Sequence, residues 1–198
     1  STYGDSETLP KIEENIGNPL SPYAVTKYVN ELYASVYASL HGIETIGLRY
    51  FNVFGKRQDP NGAYAAVIPK FVDLMLKGEA PTINGDGKQT RDFTHIENVI
   101  LANELAGSTT NPEALSQVYN VACGESISLL QLMDALKDAL APFSPGVTEI
   151  TALHGPDRAG DVRDSLASVD KANRLLGYDP VTKLSSGIGK SIQYYLEL

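Results

Sequence analysis

The sequence has one cysteine, no tryptophan and only three histidines among its 198 residues. Cys123 cannot form a disulfide within the chain, and we expect it to be a small buried thiol. The three histidines lie far apart, without cysteine neighbours and without a nucleophile at motif spacing. We therefore expect no metal site, and we assign His41, His95 and His154 to surface or packing positions.

Long apolar runs and positive charge are also scarce. No apolar segment approaches the roughly 20 residues that span a bilayer, and the first residues lack the basic-then-apolar pattern of a signal peptide. We therefore expect a cytoplasmic protein without membrane contact. The chain has 16 basic against 24 acidic residues, a formal net charge of -8, which argues against a broad nucleic-acid-binding face. An anionic ligand would have to be held by a few local cations.

A Gly-x-Gly-x-x-Gly fingerprint is absent too. Both Gly-x-Gly pairs of the chain lack the third glycine, because Thr90 and Ile192 stand at that position. The chain therefore cannot build a dinucleotide pyrophosphate site by itself. Its first residues, Ser-Thr-Tyr-Gly-Asp, begin without methionine and without a helix or strand of their own, so we expect a chain that starts inside a domain.

What the sequence does contain is an alternation of helices and strands. Apolar residues at three- and four-residue spacing predict a helix over 22–40, and an Ile-, Thr- and Leu-rich run predicts a buried strand over 43–50. Residues 118–122 predict a second buried strand. Helix followed by strand is typical of a parallel α/β sheet. Further helices are predicted over 65–77, 96–106, 129–140, 171–176 and 184–195.

Tyr23 and Lys27 form the first chemical candidate. They are four residues apart on the first predicted helix, so their side chains lie on one face, one turn apart. A lysine ammonium at that distance stabilises the tyrosinate form, which enables the phenol to act as a general base. Tyr-x-x-x-Lys spacing arises readily by chance in a chain with eleven tyrosines, so the pair needs support from its surroundings.

Around this pair the sequence resembles the extended short-chain dehydrogenases/reductases, and among them the UDP-N-acetylglucosamine 4-epimerases of bacterial polysaccharide biosynthesis. The resemblance extends over essentially the whole chain. Its most specific part is the block 58–70. The other matching segments are Leu20-Ser-Pro-Tyr-Ala-Val-Thr-Lys27, residues 49–55 (Arg-Tyr-Phe-Asn-Val-Phe-Gly), 84–87 (Asn-Gly-Asp-Gly) and 91–93 (Arg-Asp-Phe).

The resemblance implies a fold and an assembly. The fold would be the C-terminal portion of a Rossmann-like, doubly wound parallel α/β sheet whose N-terminal strands are missing, with an interleaved smaller α/β substrate domain. Residues 1–52 and 92–122 would form the remaining part of the NAD-binding domain, and 53–91 and 123–198 the nucleotide-sugar-binding domain. A homodimer is also implied, in which the helix over 22–40 packs against its twin through a flank containing Tyr28, Tyr33 and Tyr37.

The resemblance also implies the chemistry. In this family the tyrosine takes the proton of the sugar C4 hydroxyl while tightly bound NAD takes the hydride, the 4-keto sugar rotates, and the hydride returns to the opposite face. Tyr23 and Lys27 would be the catalytic residues, and both would contact the cofactor together with Tyr50. The family's catalytic serine or threonine would fall ahead of residue 1, so Ser1 does not take that role. The chain alone is expected to be inactive.

Substrate contacts follow from the same resemblance. Arg91 and Arg158 would fork onto the diphosphate, a geometry that guanidinium supports better than ammonium, and Asp161 would accept a ribose hydroxyl. Ser165 matches a position where a tyrosine narrows the hexose pocket and a small residue admits an N-acetyl group, so it predicts N-acetylated substrates. The other expected contacts with the UDP-sugar are Ser1, Asn52, Gln58, Ala66, Val67 and Asn84.

Alternative functions stay open. One is another enzyme of the same superfamily, an epimerase acting on UDP-glucose or a uronic acid, or a decarboxylase. Another is a non-catalytic UDP-sugar-binding module, because the fingerprint of the cofactor half is missing. A sugar-nucleotide dehydratase is disfavoured, since that class carries a glutamate two residues before the tyrosine of Tyr-Gly, where this chain has Ser1.

Overall fold

The computed structural model describes residues 1–59, 66–157 and 162–197, and Arg158 and Asp161 lie outside these ranges. None of the helices described is long and apolar enough to cross a membrane. The helices are α1 Pro22–His41, α2 Val67–Leu76, α3 Ile96–Ser108, α4 Leu129–Leu140, α5 Asp170–Leu176 and α6 Leu184–Leu196. The strands are β1 Ile46–Tyr50, β2 Val53–Phe54, β3 Thr82–Asn84, β4 Thr90–Arg91, β5 Thr94–His95, β6 Gln117–Val121, β7 Ile127–Ser128 and β8 Leu153–Gly155.

Helix α1 has clear signals at both ends. The Ser21 side chain accepts a hydrogen bond from the Ala24 backbone N–H, and proline stands at the first helical position. The helix ends at Gly42, whose φ of 65° is favourable for glycine and whose N–H donates to the Ala38 carbonyl. Ala24 is the only buried residue of α1. Several of its apolar residues, among them Val25, Leu32, Val36 and Leu40, are exposed.

Strands β1 and β6 form a parallel pair beside the first of two hydrophobic cores. They pair in parallel, with Leu48 opposite Tyr119, as the helix–strand alternation predicts. Among the described residues, no strand pairs with the other edge of β1. The core beside this pair combines α3, β6 and α5, and its buried members are Val99, Ala102, Ala114, Tyr119, Val121, Ala172, Leu176 and Tyr178.

A second core lies among α2, α4 and α6. Three short strand pairs surround it: β2 with β5 and β3 with β8 in parallel, and β4 with β7 antiparallel. Phe54 and Phe93 place their rings in this core from strand ends, beside Leu132, Leu136 and Ile188 of the helices. Helix α5 packs into the first core, although its residues belong to the segment 123–198 of the expected nucleotide-sugar-binding domain. The division into these two domains stays a prediction.

The segment 1–18 has no long helix or strand, and polar side chains attach it to β6. The buried Asn120 is the centre of this attachment: its side chain accepts from the Tyr3 hydroxyl and donates to the Lys11 carbonyl. The Asn120 backbone N–H donates to the Glu13 carboxylate at 2.8 Å. These bonds satisfy groups that would be costly to bury unpaired, and they hold Ser1 beside β1.

Candidate functional site

A cavity of about 800 Å³ lies between α1, β1 and the first four residues. Helix α1 forms one wall, the open edge of β1 another, and the segments around Arg91 and Ser165 close one end. Seven of the thirteen residues that we expected to bind substrate or cofactor line it. They are Ser1, Tyr23, Lys27, Tyr50, Asn52, Arg91 and Ser165.

Tyr23 and Lys27 have the relative placement that their spacing predicts. The Lys27 ammonium lies 5.2 Å from the centroid of the Tyr23 ring, within the range of an attractive cation–π contact. Tyr23 is 52% exposed. Among the described residues Lys27 forms no salt bridge. The pair therefore presents a phenol and a cation to the cavity.

Asn52 and Arg91 bring an amide and a guanidinium to the same cavity. The Asn52 side chain donates to the Asp92 carbonyl at 3.1 Å, and its own oxygen accepts no bond from the residues described. One guanidinium nitrogen of Arg91 donates to the Thr90 carbonyl at 2.7 Å and to the Arg163 carbonyl at 3.3 Å. The side chains of Asn52 and Arg91 are therefore both oriented by hydrogen bonds to backbone carbonyls, whose positions do not change when side chains rotate.

Ser165 lies on a loop that is tied at both ends. The Leu166 carbonyl accepts the Lys11 N–H at 2.7 Å, and the Ser168 N–H donates to the Lys11 carbonyl at 2.9 Å. On the other side, the Arg163 carbonyl accepts the Thr90 N–H at 3.0 Å. Ser165 is thereby held at the cavity wall by backbone bonds to two distant segments.

Four expected substrate contacts do not line this cavity. Gln58 donates to the Val53 carbonyl at 3.0 Å, while its buried Oε1 has no partner among the described residues. Ala66 caps α2 without a side-chain bond and Val67 begins that helix. Asn84 ends β3, and its carbonyl accepts from the Gln89 side chain at 2.6 Å. Their roles remain predictions, as do those of Arg158 and Asp161 outside the described ranges.

Two residues without an expected role have perturbed electrostatics near the site. Burial would lower the pKa of Arg49, but hydrogen bonds and charge interactions with Glu31 and Tyr3 raise it above its ordinary value. Burial raises the pKa of Asp92 to about 6, although backbone N–H donors oppose that shift. Both residues stand inside the matching segments 49–55 and 91–93, and this position was the one sequence signal that pointed to them.

Cys123 and the histidines behave as expected. Cys123 is buried, and burial together with the nearby Asp92 charge raises the pKa of its thiol to about 11. His95 packs its ring 5.3 Å from that of Phe54, whereas His41 and His154 are exposed. A thiol with so high a pKa is protonated near neutral pH and is a poor nucleophile.

The chain is similar to nucleotide-sugar epimerases of known sequence and structure. A putative UDP-glucose 4-epimerase of Methanocaldococcus jannaschii is 38% identical over 98% of this chain and 59% of its own length. The structure of UDP-N-acetylglucosamine 4-epimerase from Methanobrevibacter ruminantium, in complex with UDP-N-acetylmuramic acid, matches 99% of this chain and 60% of its own, with 34% identity and a TM-score of 0.90.

A third relative is the UDP-glucuronic acid 4-epimerase of Bacillus cereus, solved with UDP-glucuronic acid and NAD. It matches 100% of this chain and 59% of its own, with 31% identity and a TM-score of 0.84. The chain thus spans about 60% of the length of the relatives it matches. The expected fold, part of a Rossmann-type α/β structure with parallel strands, is confirmed.

The sequence model of one family, described as the NAD dependent epimerase/dehydratase family, matches residues 1–122. That match includes α1, β1 and β6, and with them the cavity residues from Ser1 to Arg91. It covers well over half of the 198 residues. The chain therefore belongs to the NAD dependent epimerase/dehydratase family.

Proposed function

We propose that this chain supplies the UDP-sugar site and the tyrosine–lysine pair of an NAD-dependent nucleotide-sugar 4-epimerase that interconverts UDP-N-acetylglucosamine and UDP-N-acetylgalactosamine. The observation that carries the proposal is the shared cavity of Tyr23, Lys27, Asn52, Arg91 and Ser165. It combines a phenol that can exchange a proton, a cation beside it, an amide, a guanidinium suited to phosphate and a small polar residue.

Proton transfer at the sugar is the role of Tyr23. Its phenolate accepts the proton of the C4 hydroxyl and returns it after the sugar has turned. The Lys27 ammonium lies 5.2 Å from the centroid of the Tyr23 ring. Both residues lie on one rigid helix, so their separation does not depend on loop motion.

The residues present fit one end of NAD. The Lys27 ammonium has no ion-pair partner among the described residues and faces the cavity, so it can donate to ribose hydroxyls, and Tyr50 lines the same wall. The pyrophosphate end finds no Gly-x-Gly-x-x-Gly loop in this sequence. When bound, NAD supplies reversible acceptance of the C4 hydride. Residues joined to this chain in a longer protein would hold the rest of the cofactor.

Rotation of the keto sugar requires a firm hold on UDP and a loose hold on the hexose. Arg91, held by two carbonyls, provides a fixed cation for the diphosphate, and Arg158 and Asp161 are the further anchors in this proposal. The relatives act on different hexoses: UDP-glucose, UDP-N-acetylglucosamine and UDP-glucuronic acid. Preference for the N-acetylated hexose therefore rests on the small Ser165 side chain at the cavity wall.

Calorimetry on the chain tests the binding part of this proposal. UDP, UDP-N-acetylglucosamine and UDP-glucose are titrated separately, and we expect all three to bind, the N-acetylated sugar more tightly than UDP-glucose. A chain that binds none of them would contradict the proposal. A chimera in which residues 1–198 replace the matching part of the Methanobrevibacter ruminantium epimerase tests the activity, with product analysis for both hexoses. We expect turnover of the N-acetylated sugar.

A non-catalytic UDP-sugar-binding module is the second candidate. It would use the same cavity, with Asn52, Arg91 and Ser165 holding the UDP-sugar. Binding of UDP to the chain together with an inactive, correctly folded chimera would support it over the epimerase.

We further propose that α1 packs against the α1 of a second copy. Val25, Leu32, Val36 and Leu40 follow one another at helical spacing and are each about half exposed or more. This stripe faces away from the side that carries Tyr23 and Lys27. The expected tyrosine flank is not continuous, because Tyr28 is half-buried and is turned by about 140° from Tyr33; the aliphatic stripe is the better interface.

A further inference from the structure

Asp92 lies fully buried between β4 and β5, directly after Arg91. Its carboxylate accepts three backbone hydrogen bonds from two separate segments. The Cys123 N–H donates to Oδ1 at 2.9 Å, and the Gly124 N–H donates to Oδ2 at 3.0 Å. The Ala167 N–H donates to Oδ2 at 3.4 Å. One side chain thus joins the end of β6 to the loop that carries Ser165.

The backbone of Asp92 makes a further connection. Its carbonyl accepts the Asn52 side-chain amide at 3.1 Å, and the Asn52 carbonyl accepts the Thr94 N–H at 3.0 Å. Asn52, Arg91 and Ser165 all line the cavity. Each is connected to Asp92: Asn52 by a hydrogen bond, Arg91 by the peptide bond, and Ser165 through Ala167 two residues later.

We propose that Asp92 is a positioning residue of the sugar pocket: it sets the distance between the group facing the diphosphate, Arg91, and the groups facing the hexose, Asn52 and Ser165. This inference rests on the proposed function, because it assumes that the cavity binds a UDP-hexose. Asp92 does not line the cavity, so it acts through these neighbours and not by contact with the ligand.

The free-energy cost of burying the Asp92 carboxylate explains why its three hydrogen bonds fix the position of the neighbouring backbone. A buried carboxylate loses its hydration, and burial raises the pKa of Asp92 accordingly. Only directed donors offset that loss, so the carboxylate and the three amides fix one another in position. An aliphatic side chain would fill the space without holding the Ser165 loop. The bond to Ala167 is the longest of the three, and this loop should be the first part to loosen when the acceptor is weakened.

Asp92→Asn tests the inference in the whole chain. Asparagine offers one oxygen and one NH2 group in place of two carboxylate oxygens, so its NH2 group opposes either the Cys123 N–H or the Gly124 and Ala167 N–H groups. We expect the preference for UDP-N-acetylglucosamine over UDP-glucose to fall by roughly fivefold or more, with the exposed Asp138→Asn as the matched control. A general loss of structure would weaken both ligands equally, so an unchanged ratio of their dissociation constants would overturn the inference.

A second measurement does not depend on the stability of a variant. In the unmodified chain, the backbone amide resonances of Cys123, Gly124 and Ala167 are followed while each UDP-sugar is added. We expect all three to shift together, and further with UDP-N-acetylglucosamine than with UDP, although none of them contacts the ligand in our proposal. Binding without any shift of these amides would overturn the inference. If neither sugar binds the unmodified chain, the proposed function fails and this inference fails with it.

Discussion

Arg49 on β1 and Glu31 on α1 form a two-pronged ion pair. The Arg49 Nε donates to Glu31 Oε1 at 2.9 Å and the Nη2 to Oε2 at 2.8 Å. Their side chains are only 10% and 17% exposed. Glu31 follows Tyr23 and Lys27 at four-residue spacing on the same helix face. Because α1 buries only Ala24, this nearly buried pair is an important connection between the helix that carries the catalytic candidates and the sheet.

Removing one member of this pair should therefore release α1. We expect Glu31→Gln and Arg49→Met each to lower the free energy of unfolding by about 3 kcal/mol, because an unpaired charge is left in a mostly buried place. Hydrogen exchange of the α1 amides, followed by mass spectrometry, should increase more than that of α4.

The exposed pair of Asp73 and Lys77 provides the control for this prediction. Both side chains are substantially exposed, so Asp73→Ala should cost less than about 1 kcal/mol. The double variant Glu31→Leu with Arg49→Met should recover part of the loss, because it leaves no unpaired charge. Equal effects at the two pairs would contradict our account of α1.

The pH dependence of stability should carry a contribution from Asp92. Its folded-state pKa is raised from 3.8 to about 6, so the folded state binds this proton more tightly than the unfolded state. The resulting stabilisation is fully present below about pH 4 and is lost as the pH rises through about 6, a change of about 3 kcal/mol.

Urea unfolding of the unmodified chain and of Asp92→Asn at pH 4 and pH 7.5 measures this contribution. The asparagine is neutral throughout, so the unmodified chain should lose stability relative to the variant by about 3 kcal/mol between these pH values. The other carboxylates cancel in this difference. A difference that is constant with pH would mean that the Asp92 pKa is not raised.

The catalytic role of Tyr23 is tested in the chimera. Tyr23→Phe removes the hydroxyl and keeps the ring, so we expect kcat for epimerisation to fall by about 10²–10⁴-fold with little change in KM. Tyr28→Phe, on the same helix, is the matched control and should retain activity. Near-normal epimerisation by Tyr23→Phe would exclude Tyr23 as the general base.

The size of residue 165 should set the hexose preference. Ser165→Tyr adds a ring at the cavity wall, so binding of UDP-N-acetylglucosamine should weaken by roughly tenfold or more while binding of UDP-glucose stays nearly unchanged. Ser165→Ala should behave like the unmodified chain. Calorimetry on the chain measures both ligands. Unaltered binding of the N-acetylated sugar by the tyrosine variant would contradict the pocket-size interpretation.

The dimer proposal depends on the aliphatic stripe of α1. Val36 lies in this stripe and is 50% exposed. Val36→Glu would therefore bury a charge in the helix–helix contact. We expect the dimer to dissociate in sedimentation experiments, whereas Lys70→Glu on α2 leaves the mass unchanged. If the unmodified chain sediments as a monomer at all concentrations, α1 is not a self-association surface of this chain.

Helices and local pairs were predictable because their signals are local. The apolar periodicity of 129–140 predicted α4 to the residue, and the spacing of Tyr23 and Lys27 alone predicted their contact. The first end of β1 was predicted wrongly: the strand predicted from residue 43 begins at Ile46. Ile43 and Glu44, before it, are exposed. Four strands, β2, β4, β5 and β7, are only two residues long. A segment this short has no hydrophobic periodicity from which a strand could be predicted.

The candidate site divides in the same way. The sequence by itself determined the family resemblance, the helix that carries Tyr23 and Lys27, and the motifs that contain Asn52 and Arg91, because each depends on residues close together in the chain. The expected role of Ser165 came from a single position that matches the family. Only the tertiary structure decided which of these residues share a cavity. It also decided the contacts by which Arg49 holds α1 and Asp92 connects Asn52 and Arg91 with the Ser165 loop. Those contacts connect residues 18 to 75 positions apart, and their energies depend on burial and hydrogen-bond direction, which exist only once the chain has folded.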